Sequence, residues 1–164
     1  MISGMVDSET AEARLTRLGL QLPDPPAAVA AFEPVVRAGS TVYVSGQVAT
    51  RDGELVATGR LGDDLDVAGG QDAARQCALN VLAQLRAAAG GLDGVERLVK
   101  VTVFVASTPD FTAQPQVADG ASRLFVDVLG PAGRHARAAI GVAALPIGSP
   151  VEVEAVALLR TDAA

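Results

Sequence analysis

Arg137 lies in the stretch His135–Val142, whose side chains alternate. Ala136, Ala138, Ile140 and Val142 fall on one face, and His135, Arg137, Ala139 and Gly141 on the other. On a strand, this sets one guanidinium beside two very small residues. It leaves room for a ligand and offers it a forked donor that matches a carboxylate bidentately. A structural salt bridge or a solvated arginine fits the same spacing, because exposed charges are often inert. Val151-Glu152-Val153-Glu154 repeats the alternation with acids, Glu152 and Glu154 on one face and Val151, Val153, Ala155 and Ala157 on the other. Either carboxylate is a candidate general base on water if burial or a neighbour raises its pKa. An exposed, solubilising strand face is the plain alternative. Were the two stretches a simple hairpin about Pro146–Gly148, Arg137 and Glu152 would stand on the order of 20 Å apart. They share a site only with another strand order or across a subunit boundary.

Weaker candidates surround these. Gly46, in Ser45-Gly46-Gln47, ends a strand and permits close backbone approach by a ligand, but no obvious histidine stands by to activate Ser45. Gly69-Gly70 before a helix could cradle phosphate. It lacks the lysine and spacing of a phosphate-binding loop, so a plain loop is expected. Cys77 sits on an apolar helical stripe and reads as a packed core thiol. His135, the only histidine, reads as structural or solvated. One cysteine and one histidine leave no material for a disulfide, a thiolate zinc cluster or a histidine-rich metal site.

The elements that must position these residues follow from periodicity. A short helix is expected over Glu9–Leu20, then a linker at Pro23, Pro25 and Pro26. Strands follow at Val35–Arg37 and Thr41–Val48, then an Asp52-Gly53 turn and a Gly/Asp-rich loop over Gly59–Gly70. Ala74, Cys77, Ala78, Val81, Leu82 and Leu85 form one apolar stripe and define a helix over Gln71–Ala89, stopped by Gly90-Gly91. Leu98–Ala106 alternates as a strand, with Val99, Val101, Val103 and Val105 toward the core. A second helix follows Pro115, with Ala118, Ala121, Leu124, Phe125 and Val128 inward. Strands Ala136–Ala143 and Val151–Leu159 close the chain. The order β-β-(β)-α-β-α-β-β implies an α+β layer, a mixed sheet with two helices on one face plus the extra N-terminal helix. The expected division is 1–29, helix and Pro-rich linker, and 30–162, the domain proper.

The chain has 164 residues, 49% hydrophobic, with a net charge of -6 and 3% aromatics. That suits one domain with a real core. An acidic chain without stacking faces is a poor partner for nucleic acid. No apolar run reaches membrane-span length, and Met1–Asp7 lacks a secretion signal, so no membrane and a cytoplasmic location are expected.

Four stretches together resemble the Rid/YjgF family of reactive-intermediate deaminases, whose fold is chorismate-mutase-like. They are Val44-Ser45-Gly46-Gln47; Asn80 within Ala78–Leu85, leading to Ala89-Gly90; Val99–Val105; and Ala136-Arg137-Ala138 through Ala144-Leu145-Pro146 to Val151–Ala157. The match spans roughly Ala30–Leu159, and the added first helix is similar to a longer bacterial branch. The resemblance implies a homotrimer with clefts between subunits and a small carboxylate-bearing metabolite as ligand. It implies that Arg137 grips the carboxylate and Glu152 serves the attacking water. Ser45, Gly46 and Ala139 would border the ligand, Ala139 through its backbone. Phe32 falls where deaminating members often carry Tyr, and Asp119 falls near a family Asn. The implied activity is hydrolysis of 2-imino acids or enamines to 2-oxo acids and ammonia, with no metal or organic cofactor expected, because imines are already electrophilic. The alternatives are a non-catalytic carboxylate-binding trimer, acting as metabolite sensor or enzyme partner, and a ribonuclease, which the acidic composition disfavours.

Overall fold

The computed structural model describes residues 9–161. Met1–Asp7, read above for a secretion signal, lies outside them, as does position 162. Helix α1, Ala11–Arg17, is shorter than expected. Thr10 caps its start by accepting from the Ala13 N–H at 3.1 Å, and Gly19 turns the chain away at φ +65°. Ala11 and Leu15 join the same core as the rest of the chain.

Strands β1 (Val35–Ala38) and β2 (Thr41–Val48) form the expected hairpin. A miniature hairpin follows, β3 (Thr50–Arg51) and β4 (Glu54–Leu55). Its turn residues Asp52 and Gly53 both have positive φ, the geometry a two-residue hairpin turn requires.

Helix α2 spans Val67–Ala89 and so begins four residues earlier than the apolar stripe suggested. Gly69 and Gly70 are therefore helix, not loop. Asp66 caps the start by accepting from the Gly69 N–H at 2.8 Å, so that donor is already satisfied. The glycines are there for packing. A Cβ on Gly69 would lie 2.6 Å from Leu65 Cδ1, and one on Gly70 would lie 2.9 Å from Leu61 Cδ1. Downstream, Ala74, Cys77, Ala78, Val81, Leu82 and Leu85 are all fully buried. Each large aliphatic among them contributes about 1.5–3 kcal/mol by leaving water.

Strand β5 runs Val95–Ala106, starting three residues before the expected Leu98. Val101, Val103 and Val105 are buried as expected, but Val99 is 39% exposed and Leu98 takes its place inside. The cause is a register shift between Leu98 and Lys100 against the neighbouring strand, which flips the alternation. Helix α3, Gln114–Leu129, buries Ala118, Ala121, Leu124, Phe125 and Val128 and stops at Gly130. Strands β6 (Ala136–Val142) and β7 (Val151–Leu159) complete the chain.

The five long strands form one mixed sheet in the order β1-β2-β7-β5-β6. Only β5 and β6 are parallel, joined through α3. Helices α2 and α3 pack together on one face. The other face is uncovered among the described residues and displays Val36, Tyr43 and Ile140, each about half exposed. The fold is thus the expected α+β layer. No helix among the described residues is long and apolar enough to cross a membrane.

Candidate functional site

Arg137 stands on β6, an edge strand, in register with Val101 of β5 and on the helix-covered side of the sheet. Its face there meets α3. Nη1 donates to Asp119 Oδ1 at 2.9 Å and to Ser122 Oγ at 3.1 Å, and Nη2 donates to the Pro115 carbonyl at 3.3 Å. A guanidinium has five N–H donors. Nε–H and one Nη2–H therefore remain without a bond among the described residues. The side chain is 24% exposed. Part of the plain alternative is thus real: Arg137 is in an ion pair. The pair holds one end of the fork and leaves donors for a ligand.

Asp119 does not face away from the arginine. It reaches it directly, with Arg123 Nη2 3.8 Å from its second oxygen. Ser122 lies one helical turn beyond Asp119 and therefore on the same side of α3. Its hydroxyl accepts from Arg137, so its proton must go elsewhere, and His135 Nε2 lies 3.0 Å away. His135 Nδ1 is 2.6 Å from the Gly133 carbonyl, which can only accept. The ring is thus the Nδ1–H tautomer, with Nε2 accepting from Ser122. Burial first, and then the Arg137 charge, hold the His135 pKa below its ordinary value, against the Gly133 hydrogen bond that raises it. The outcome is a fixed chain of bonds from Arg137 through Ser122 and His135 to Gly133. Sequence reasoning missed Ser122 and undervalued His135. The available signal was the Asp119–Ser122 spacing on a helix preceding the arginine strand.

Ala139 is half-buried beside Val103 of β5. The space over Gly141, read above as open, is occupied. A Cβ there would lie 2.8 Å from both Gln114 Nε2 and Ser107 Oγ. The room beside Arg137 is thus narrower than the small residues suggested, and it is lined by polar groups.

Glu152 lies on β7 with its side chain on the uncovered face. It opposes Phe104 of β5 and Val48 of β2. Strand β2 carries one extra residue at Ser45-Gly46, since Val44 pairs with Ala155 and Gln47 with Val153. The bare α-carbon of Gly46 is where the Glu152 carboxylate rests: a Cβ there would collide with Oε1 and lie 2.8 Å from Cδ. Burial first, and then Glu154 beside it, raise the Glu152 pKa, which is the condition set above for a general base. Ser45 sits next to this group, its hydroxyl donating to the Glu33 carbonyl at 2.7 Å. That contact places the exposed Phe32 close by.

The residues form two groups within one chain. Phe32, Ser45, Gly46 and Glu152 gather at β1, β2 and β7; Arg137, Ala139 and Asp119 gather at the opposite edge. Strand β5 separates β6 from β7, so the hairpin arrangement does not occur. By register, Arg137 and Glu152 lie two strands and three rungs apart, about 14 Å, and on opposite faces of the sheet. A concavity of about 690 Å³ lined by Arg14, Asp93, Arg97 and Arg160 lies beside α1, away from both groups.

Comparison with known proteins adds three relatives. A family model described as "YjgF/chorismate mutase-like, putative endoribonuclease" matches residues 12–159. Protein TCP17 of Trypanosoma cruzi is 48% identical over 157 residues, 95% of this chain and 98% of that protein. The 2-iminobutanoate/2-iminopropanoate deaminase of Capra hircus is 37% identical over 134 residues, 81% of this chain and 83% of its own. A solved structure of a protein of unknown function from Agrobacterium tumefaciens is 44% identical and has a TM-score of 0.85. That match covers 93% of this chain and 94% of the other.

Proposed function

This chain belongs to the YjgF/Rid family, and we propose that it hydrolyses 2-imino acids, or their enamine tautomers, to 2-oxo acids and ammonia at a site completed between subunits. The observation that carries this reading is the state of Arg137: a guanidinium fixed at one end by α3, with Nε–H and one Nη2–H still to give. Those donors suit a small carboxylate. Relatives named as 2-iminobutanoate/2-iminopropanoate deaminases support the reaction class.

In this mechanism, Arg137 binds the substrate carboxylate and so holds the imine carbon in place. Glu152 of a neighbouring subunit, its pKa raised by burial, takes a proton from water as the oxygen bonds to that carbon. The same carboxyl returns the proton to nitrogen, giving a carbinolamine, and then moves the carbinolamine hydroxyl proton to nitrogen as the carbonyl forms. The C–N bond then breaks, ammonia leaves and the 2-oxo acid remains. Backbone groups around Ala139 steady the water. The imine is already electrophilic, so no cofactor is required.

A homotrimer is part of the proposal. One chain holds the two groups on opposite faces, and a second copy is needed to bring Glu152 to Arg137. The uncovered sheet face with Val36, Tyr43 and Ile140 supports such an assembly. A second reading, a non-catalytic trimer that binds small carboxylates, draws on Asp119, which offsets part of the Arg137 charge.

Ammonia release from freshly generated 2-iminopropionate decides between them. Acceleration by the wild type that Arg137→Ala abolishes supports the enzyme. Carboxylate binding with no acceleration supports the second reading.

A further inference from the structure

We propose that Asp119 makes the Arg137 site selective for ligands carrying a cationic nitrogen beside the carboxylate, such as an iminium or amino-acid zwitterion. Ligands with the carboxylate alone, such as 2-oxo acids, are disfavoured. The inference rests on the reading of Arg137 as carboxylate anchor and adds what stands next to it.

The Asp119 carboxylate shares a guanidinium with the proposed ligand. Its Oδ1 takes one Nη1–H at 2.9 Å, which uses a fraction of the acceptor capacity of a carboxylate. Arg123 reaches Oδ2 only at 3.8 Å and is 73% exposed, so it holds that oxygen loosely. Ser122, the nearby hydroxyl, sends its proton to His135 and cannot donate to Asp119. Asp119 therefore keeps free lone pairs on the Nη1 side of the same guanidinium whose Nε–H and one Nη2–H are left for a ligand.

A ligand carboxylate on the remaining Arg137 donors shares the guanidinium with a second carboxylate. Like charges on one guanidinium stand closer than the Debye length of about 8–10 Å and repel in a partly desolvated setting. A cationic nitrogen on the carbon next to the ligand carboxylate opposes that repulsion, because its charge attracts Asp119. Arg123 is largely exposed and screened by solvent, so the Asp119–Arg137 pair sets the local balance; that pair is electroneutral, and its best complement is a neutral zwitterion.

This preference serves imine hydrolysis. Water attacks the protonated imine, C=NH2+, more readily than the neutral one, and Asp119 favours the protonated form. After the C–N bond breaks, the product carries a carboxylate and a neutral carbonyl. The attraction to Asp119 is gone and the repulsion stays, so the product is expelled.

The test is calorimetric binding of alanine, pyruvate and propionate at low salt to wild type, Asp119→Asn, Asp119→Glu and Arg137→Ala. Alanine should bind the wild type about tenfold or more tighter than pyruvate or propionate. Asp119→Asn should weaken alanine and tighten pyruvate, opposite shifts that a general loosening of Arg137 cannot produce. Asp119→Glu should restore the order, and Arg137→Ala should lose all three ligands. Equal binding of alanine and pyruvate by the wild type, or parallel shifts in Asp119→Asn, overturns the selectivity and leaves the anchor intact. Unchanged binding by Arg137→Ala overturns the anchor, and the inference with it.

Discussion

Replacing Gly46 by alanine places a methyl group where the Glu152 carboxylate now rests. That methyl would collide with Oε1 and stand 2.8 Å from Cδ and 3.1 Å from Cγ. Gly46 is not among the positive-φ residues, so the backbone accepts alanine without strain. The obstacle is the far end of a flexible side chain, and that end gives way. Loss of glycine freedom in the unfolded chain favours folding by about 0.4–1 kcal/mol. Pushing Glu152 off its rotamer costs about 0.5–1.5 kcal/mol. The two nearly cancel, so the melting temperature should move by only a few degrees. Catalysis should suffer far more. A carboxylate displaced by about 1 Å lowers kcat on the order of 100-fold, or about 2.7 kcal/mol of barrier. On the proposed mechanism KM should change little, because there Arg137 and not Glu152 binds the carboxylate. Burial is the first cause of the raised Glu152 pKa, so a side chain pushed into solvent should shift the acid limb of the pH–rate profile to lower pH. The assay is ammonia release from 2-iminopropionate generated in place, at several pH values, alongside a thermal melt. A kcat within twofold of wild type would remove Glu152 from the chemistry. A variant that unfolds would refute the claim that the side chain yields.

Three further outcomes are expected. The folded-state pKa of Glu152 lies above its ordinary 4.5, so wild type loses stability as pH rises through it. Glu152→Gln should therefore melt higher than wild type at about pH 8 and match it below about pH 4; a constant difference would contradict the burial argument. His135 behaves in the opposite sense: its folded pKa is depressed below 6.5, so its contribution is intact above that pH and lost as pH falls. His135→Gln should flatten the fall in melting temperature on the acid side of pH 6.5, and an unaltered slope would count against a neutral, buried ring. Asn80 is 1% exposed and donates to the Val48 and Thr50 carbonyls, each at 3.0 Å. Asn80→Ala should cost about 2–3 kcal/mol in urea denaturation, and a loss under about 0.5 kcal/mol would mean that water replaces the amide.

The helices were legible because their burial is periodic. The stripe from Ala74 to Leu85 and the inward set on α3 are buried residue for residue as the spacing implied. The misreadings trace to local exceptions. Val99 looked like a core residue because alternation assumes no bulge, and a bulge is set by pairing with a distant strand. Gly69 and Gly70 looked like a loop because glycine disfavours helix, whereas contact with Leu65 and Leu61 favours their small size. Strand order was beyond reach, since nothing local to β6 or β7 says that β5 lies between them. At the candidate site, Arg137 and Glu152 were visible as charges on alternating strands. The partner that shares the Arg137 fork lies 18 residues earlier on another element. The Ser122–His135 chain requires the fold to be seen.

The most direct test of the central claim, a site shared by two subunits, mixes two inactive chains. Arg137→Ala and Glu152→Gln should each be nearly dead alone. Co-expressed so that trimers assemble at random, about a quarter of the sites would unite an intact Arg137 with an intact Glu152 from the neighbouring subunit. The account predicts ammonia release at about a quarter of the wild-type rate per site from the mixture. Activity no higher than that of either parent, in trimers verified to be mixed, would contradict it.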